Sequence, residues 1–463
     1  MGQNNFAEKD LKQLKEALEK QKREIQEFAK YSLRKKEESK IKRIERIIRE
    51  INKLLNNEKE LEDFLQKLNI GNFKFKSGNV LTVIEPFYLK VRITFSLTRK
   101  NYLDYIALKL ISKKLEKYLS VNSVNRNSTI SRLVKFLRSS KRKETNFYVL
   151  RGDFRNYTLN IPRAVLFELL KEESIDKSLL RLIENYFKIE NNYSISFKDF
   201  NVKSFFKNFN FEKQFLNDVE FNSFLNYDGL LPGTPLSNLL GQFFLKEFDI
   251  FIEEFIGKEG FYIRFFDDFI IIWQCDIRDI KKEIYRFLRK HYKLFQKDEI
   301  SNIVKIETYK NRYYQNLNSA KFDFLGYLFI TKDEDIKITI RYKTLKKFLI
   351  KYLHTYKYYG NGKPKELKDY LTSKVVYLNS WLKSFIFIND KRLLDNLYIN
   401  FILPDLYRTL KKDKKIKEPK RTVKKLKNLF KPTLIHRHLI KNRNENILER
   451  INFIEKEIEK LLE

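Results

Sequence analysis

Cysteine occurs once in the 463 residues, at Cys275. A disulfide framework within the chain is therefore excluded, and so is a multi-thiolate zinc site. The four histidines are too few and too scattered for most imidazole sites. His436 and His438 form an H-x-H pair in a basic stretch, where solvated side chains are expected. No run reaches the roughly 18 apolar residues of a spanning helix, so no membrane partner is expected. The N-terminal MGQNNFAEKDLKQ lacks a basic head followed by an apolar run, unlike a secretory signal. It also lacks the Ser or Thr that the myristoylation pattern needs. These absences lead to the expectation of a reducing, cytoplasmic compartment.

Acidic residues are in deficit. Lys+Arg number 94 against 60 Asp+Glu, a formal net charge of +34. Such a field attracts polyanions, and nucleic acid is the natural one because neutralising phosphates releases counterions. Glycine and proline are scarce, at 12 and 8 residues, while Lys, Asn, Ile, Phe and Tyr abound. An AT-rich coding bias accounts for part of the lysine excess. The 43% hydrophobic content is enough for a sizeable core.

Residues 6–68 read as helix. Leu11, Leu14, Leu18, Ile25 and Phe28 form one apolar stripe; Ile41, Ile44, Ile47, Ile48, Ile51, Leu54 and Leu55 form another. A helical arm gripping RNA or a partner and a hairpin packed on the body fit equally. NVLTVIEPFYLKVRITFSL reads as strands around Pro86. LDYIALKLISKKLEKYL reads as an amphipathic helix, and Val121–Thr129 as an Asn- and Ser-rich loop. Strand-like and helix-like segments alternate over 146–343, and helix resumes from Thr344. Between Lys411 and Lys431, 11 of 21 residues are Lys or Arg. Contact with a nucleic-acid backbone is the expectation there, a solvated face the bland alternative.

Three segments carry chemistry. In GFYIRFFDDFIIIWQC, two strand-length apolar runs are separated only by Asp267 and Asp268. That describes a tight hairpin with adjacent carboxylates at its tip, although Asp-Asp can also be plain turn chemistry. Two aspartates beside a buried sheet repel each other and are costly to desolvate, which a divalent cation resolves. Mg²⁺ takes such hard oxygen ligands. In FYVLRGDFRNYTLNI, Asp153 ends another hydrophobic strand; its bland alternative is a turn or cap acid. One carboxylate from one strand and a pair from a neighbouring hairpin can hold two metals for in-line phosphoryl transfer. Between them, YDGLLPGTPLSNLLGQFF places a Gly-Pro turn with Thr234 and Ser237 ahead of an apolar helix. That suits a nucleotide or template strand at a helix N-terminus, or simply a capped buried helix.

In this order the three segments resemble the palm of reverse transcriptases. The first aspartate of that palm matches Asp153 in LRGDFRNY. The Gly-Pro segment resembles GLLPGTPLSN at 229–238, and the aromatic-x-Asp-Asp box resembles FFDD at 265–268, preceded by Arg264. KFDFLGYLF at 321–329 resembles the family's F-L-G-Y hairpin near the primer end. The resemblance covers about residues 80–330 and extends loosely to a thumb helix pair beyond Trp381. It implies an α/β (α+β) right-hand polymerase with fingers, palm and helical thumb, plus an N-terminal helical extension. The implied divisions are 1–70 extension, 71–145 fingers, 146–343 palm with finger insertions, 344–410 thumb and 411–463 basic helical tail.

The resemblance implies that Asp153 and Asp267 bridge two Mg²⁺ ions, with Mn²⁺ as a substitute and Asp268 in support. It implies nucleotide or template contacts at Gly233, Thr234, Pro235, Ser237, Tyr157, Thr158, Arg92 and Lys305, with Arg99 and Lys100 weaker candidates. Phe266, Leu325 and Gly326 would lie on the primer side. Implied partners are an RNA template, with a dedicated noncoding RNA one option, a DNA product and dNTPs; homo-oligomerisation is left open. The departures are informative. The Gln of the family's P-Q-G is absent, and Phe266 is bulky for its position. The aromatic ring that excludes a ribose 2′-OH is replaced by Thr158, one residue after Tyr157. The compact chain and G-T-P-x-S-N segment look most like bacterial abortive-infection and defence-associated reverse transcriptases, which implies antiphage defence. An untemplated or RNA-synthesising nucleotidyltransferase and a non-enzymatic RNA-binding scaffold remain as alternatives.

Overall fold

A computed structural model describes residues 5–30, 35–76, 79–85, 90–96, 102–119, 125–139, 147–154, 157–191, 229–230, 233–274, 277–292, 304–307, 320–332, 335–353, 367–413, 416–442 and 447–462. Cys275, Pro86, Arg99 and Lys100 lie outside them. The first helices are α1 (Glu8–Lys30), α2 (Lys35–Leu55) and α3 (Glu58–Asn69). Strands β1 (Asn79–Glu85) and β2 (Lys90–Ser96) pair antiparallel, followed by α4 (Tyr102–Leu115) and α5 (Arg126–Arg138).

The centre of the molecule is a four-stranded antiparallel sheet in the order β4-β5-β3-β6. Its strands are β3 (Tyr148–Phe154), β4 (Phe261–Phe265), β5 (Asp268–Trp273) and β6 (Val304–Glu307). Between β3 and β4 come α6 (Arg163–Glu172), α7 (Lys177–Asn191), α8 (Pro235–Phe244) and α9 (Lys246–Ile256); α10 (Ile277–Tyr292) follows β5. Among the described residues every strand pair is antiparallel, so the alternating pattern over 146–343 builds no parallel βαβ unit there.

The sheet separates two hydrophobic cores. On β5, Phe269 and Ile271 face one core while Ile270 and Ile272 face the other. Successive side chains of a strand point to opposite faces, so burial on both faces demands an unbroken apolar run. That is the physical reason for FIIIW. The first core holds α1–α4 and α6–α10. The second holds α5, the antiparallel sheet of β7 (Lys321–Phe324), β8 (Tyr327–Lys332) and β9 (Asp335–Ile340), and the helices beyond. Those helices are α11 (Tyr342–Leu353), α12 (Leu367–Ser384), α13 (Lys391–Leu397), α14 (Leu403–Lys412), α15 (Pro419–Phe430), α16 (Pro432–Lys441) and α17 (Ile447–Leu462).

The N-terminal stripes are spent inside the molecule. Leu11, Leu18, Ile44, Ile47, Ile51 and Leu54 are buried in the same core as Ile106 and Leu110 of α4. Packing on the body is therefore what the structure shows for these helices. Helix α4 differs from its amphipathic expectation. Asp104, Ile106, Ala107, Leu108, Leu110, Ile111, Ser112, Lys114 and Leu115 are all buried, because neighbours cover it on nearly every side. Part of the loop expected at 121–129 is helix. Asn125 is the N-cap of α5, accepting from Asn127 N at 2.8 Å, while Ser128 and Thr129 hydroxyls bond the Asn125 carbonyl. Those polar side chains mark a helix start rather than a loop.

His436 also departs from expectation. It is buried, and its Nε2 lies 3.0 Å from the Ile386 carbonyl. Burial pushes its pKa down. In the basic run, Leu426 and Phe430 are buried while Lys420, Arg421, Lys424, Lys425 and Lys427 are exposed, so α15 has an apolar side and a cationic side. Among the described residues, no helix is long and apolar enough to cross a membrane.

Asp104 is 1% exposed and accepts a hydrogen bond from Lys76 N at 2.9 Å. Burial pushes its pKa up to about 7. Between about pH 4 and that value the folded chain keeps a proton that the unfolded chain has released. Stability contributed by this group is therefore full at low pH and falls as pH rises across that window. Asp104→Asn keeps an acceptor for Lys76 and should raise the melting temperature at pH 8. Thermal unfolding from pH 4 to 8 should show a shallower decline in the variant.

Candidate metal centre

Asp153 lies in β3 directly opposite Asp268 in β5. Residues opposite each other in an antiparallel pair project to the same face. The hairpin β4–β5 turns in two residues, Phe266 and Asp267, because Phe265 pairs with Asp268. Phe154 N donates to the Asp267 carbonyl at 3.0 Å, which fastens the turn to the end of β3. One carboxylate oxygen from each of Asp153, Asp267 and Asp268 can be chosen so that all lie within 4.8 Å of one another. All three residues are half-buried. Such a set repels itself, and hard oxygen donors at this spacing fit a divalent cation such as Mg²⁺.

Two devices hold the tip. The first is Gly152, which points away from the acids toward Phe269. A Cβ there would lie 1.9 Å from the Phe269 ring. That ring sits against Phe154, Phe248 and Tyr262, with centroids 5.4–6.3 Å apart, and forms an aromatic floor beneath the acids. Only glycine between Arg151 and Asp153 allows strand and ring to approach so closely.

The second device is a buried clamp on the turn. Phe266 has φ +56°, a left-handed conformation unusual for a bulky residue and found where hairpin turns normally use glycine. Such a residue costs about 1–3 kcal/mol and persists only when its surroundings over-determine it. Arg264 does so. Its Nη1 donates to the Phe266 carbonyl at 2.8 Å. Its Nε and Nη2 donate to the Asp249 carboxylate of α9 at 2.7 and 2.5 Å. Tyr262 Oη donates to the same carboxylate at 2.5 Å. Burial alone would lower the Arg264 pKa, but Asp249 more than reverses this and the net shift is upward. Burial beside Asp249 raises the Tyr262 pKa well above its ordinary value.

The other expected residues divide. Thr234 and Ser237 are buried, and with Tyr186 they close a triangle of hydroxyls at 2.6–2.8 Å. Thr234 is the N-cap of α8, accepting from Ser237 N at 3.2 Å, and Pro235 occupies the first turn. These contacts are those of a capped buried helix, so both hydroxyls are committed internally. Gly233 is exposed at φ +96°. Tyr157 is buried, and its hydroxyl donates to the Gly241 carbonyl rather than turning toward the acids. Burial raises its pKa. Thr158 is half-buried and its carbonyl accepts from Leu230 N at 2.6 Å, tying the Gly-Pro segment to the end of β3.

Arg92 of β2 pairs in register with Val83 of β1, and Lys305 of β6 pairs with Asp153 of β3. Leu325 and Gly326 form the two-residue β7–β8 turn, both at positive φ. Arg126 Nη2 donates to the Leu325 carbonyl at 2.5 Å, and a Cβ on Gly326 would meet Thr344 and Phe385 at 3.2–3.4 Å. The Phe266 ring meets that of Phe265 edge-on at 5.0 Å.

Sequence reasoning missed Arg151, Asp249, Asp323 and Arg163. Arg151 and Asp323 left a signal, each a charge next to buried apolar residues in a strand. Arg151 Nη2 donates to Asp268 at 2.8 Å and its Nη1 to Asp323 at 3.1 Å. Arg163 is buried and donates to the carbonyls of Gly229 at 3.0 Å and Phe187 at 3.2 Å.

No family model matches the chain, and no curated protein matches it. Among solved structures it is similar to telomerase from Candida albicans in complex with a TWJ fragment of telomeric RNA. Identity is 14%, the match covers 86% of this chain and 65% of that one, and the TM-score is 0.39. Apo telomerase from Candida tropicalis gives 13% identity, coverages of 84% and 62%, and a TM-score of 0.39. The RNA complex of the Candida tropicalis enzyme gives 15%, 84%, 60% and 0.32. At these TM-scores the functional reading rests on the carboxylates and the residues that hold them.

Replacing Arg264 by Met should remove the clamp and leave Asp249 without its bidentate partner. Because Asp249 keeps some access to solvent, the expected loss is about 2–3 kcal/mol, read from urea unfolding. Arg264→Lys should not restore it, since one ammonium cannot span both Asp249 oxygens and the Phe266 carbonyl.

Proposed function

We propose that the chain is an RNA-directed DNA polymerase of the reverse-transcriptase type. The observation that carries this reading is the convergence of Asp153, Asp267 and Asp268 within 4.8 Å from two strands and a turn far apart in sequence. In this reading Asp153 and Asp267 hold the metal and Asp268 supports them. Bound there, two Mg²⁺ ions supply positive charge to the attacking and leaving oxygens of in-line phosphoryl transfer. The chain's own task is to hold the carboxylates fixed, through the Gly152–Phe269 contact and the Arg264 clamp.

The central sheet then serves as palm, residues 71–145 as fingers, 344–410 as helical thumb and 411–463 as a basic helical tail. The cationic side of α15, within a chain of net charge +34, provides backbone contacts to RNA. Resemblance to the abortive-infection and defence-associated reverse transcriptases supports a role in antiphage defence, with a noncoding RNA as template or partner.

One observation favours a second reading. Tyr157 is bonded to Gly241 inside the core, and the next position is Thr158, so neither supplies an exposed ring against a ribose 2′-OH. That suits an enzyme that also accepts ribonucleotides, whether templated or not.

Changing both Asp267 and Asp268 to Asn should abolish nucleotide incorporation, measured by primer extension, while RNA affinity in filter binding stays within about twofold. Normal incorporation by the double variant would remove the polymerase reading. The wild-type RNA complex should weaken by orders of magnitude between about 50 and 200 mM salt.

Sugar selection gives a separate test. Competing dNTPs and NTPs on one primer, with and without template, should show weak discrimination in the wild type. Thr158→Tyr should shift incorporation toward dNTPs. Strict dNTP use by the wild type would rule out the second reading.

A further inference from the structure

Arg151 stands two residues before Asp153 on β3, so both project to the face that carries Asp268. Its guanidinium is divided between two acids. Nη2 meets Asp268 Oδ1 at 2.8 Å, and Nη1 meets Asp323 Oδ2 at 3.1 Å. The side chains of Arg151 and Asp323 are 13% and 15% exposed, so water screens this pair little. Asp323 lies in β7, outside the central sheet, and also accepts from Arg341 Nη1 at 2.7 Å. Arg341 follows β9, and its backbone N donates to Gly326 at the β7–β8 turn. A chain of alternating charge thus runs from Asp268 through Arg151 and Asp323 to Arg341, joining the acid cluster to the three-stranded sheet.

This arrangement is the opposite of the carboxylate that stands behind a histidine ligand. There, a hydrogen-bond acceptor behind the ring raises the ligand's donor strength. A guanidinium bound directly to a carboxylate oxygen does the reverse. It occupies a lone pair that a cation would use and places a positive charge beside the cation. The same guanidinium is drawn the other way by Asp323.

We propose that Arg151 is a positioning residue that withholds Asp268 from a cation held by Asp153 and Asp267, and that Asp323 sets how strongly it does so. The proposal rests on the metal-centre reading above and adds its regulation. The sheet of β7, β8 and β9 adjusts the charge of the acid cluster through Asp323. An anion such as a nucleic-acid phosphate that engages Arg341, which is 41% exposed, releases Asp323 to draw Arg151 off Asp268 and tightens cation binding. By linkage, a bound cation favours that anion equally.

The test is Mn²⁺ binding to the purified full chain, followed by electron paramagnetic resonance, without nucleotide and, for every variant, without nucleic acid. Arg151→Gln should tighten binding roughly tenfold, within the range that neighbours of metal ligands command. Arg151→Lys, which keeps the charge but cannot span both acids as the guanidinium does, should fall between wild type and Arg151→Gln. Asp323→Asn should weaken binding several-fold, because the charge that draws Arg151 away from Asp268 is then gone. Arg341→Gln should tighten it, and a short DNA duplex added to the wild type should do the same. If Arg151→Gln weakens binding, Arg151 merely orients Asp268 and the proposal fails. It fails equally if the Arg151 and Asp323 variants move affinity in the same direction. Should Arg151→Gln not fold, Asp323→Asn and Arg341→Gln decide the matter by their opposite signs. Asp267→Asn separates the two layers. If it binds Mn²⁺ as wild type does, the metal centre itself is wrong. If it loses binding while the Arg151 and Asp323 variants bind like wild type, only the relay is wrong.

Discussion

Asp153 and Asp268 oppose each other across two antiparallel strands, with Asp267 at the adjoining turn. Like charges in that relation repel, and because all three acids are half-buried, water relieves the repulsion only in part. Much of the surrounding structure answers this one constraint. Gly152 lets the strand settle on Phe269. The Arg264–Asp249–Tyr262 clamp holds Phe266 in a backbone conformation it would not adopt alone. Arg151 neutralises one of the three acids directly. An arrangement so costly to leave without positive charge suits a site whose purpose is to receive a cation.

The two hydrophobic cores make the constraint affordable. Because β5 is covered on both sides, the hairpin tip is anchored by Phe269 and Ile271 in one core and by Ile270 and Ile272 in the other. A tip anchored in two directions can carry strain without drifting. The helices around it differ in role. Those from α1 to α4, with α6 to α10, build the floor behind Phe269. Helix α5, the second sheet and the helices from α11 onward build the opposite wall, from which Asp323 reaches the site.

Polar groups that sequence inspection offers to a ligand are in several cases fully employed by the fold. Thr234, Ser237 and Tyr186 satisfy one another at the start of α8. Tyr157 is sealed against Gly241. The described ends of the Gly-Pro segment are therefore tied to the fold, Gly229 by Arg163 and Leu230 by Thr158. Among the described residues of the segment, Gly233 and Asn238, rather than the hydroxyls between them, are exposed to solvent.

The sequence alone determined the strands and the tight turn that carry the three acids, because an apolar run interrupted only by Asp267 and Asp268 has few other ways to fold. It also determined the helical character of both ends, through regular apolar spacing. It left open whether the N-terminal helices stand free or join the core, since a stripe on one helix does not reveal what covers it. It misjudged Asn125 to Thr129, where the same polar side chains serve a loop or a helix cap. The tertiary structure alone decided the partners of the acids. Arg151, Asp249 and Asp323 are separated from one another by at least 74 positions, and no local pattern links them. Their pairing follows from strand register and from which helix lies against which face, and both are settled only when the two cores close around the sheet.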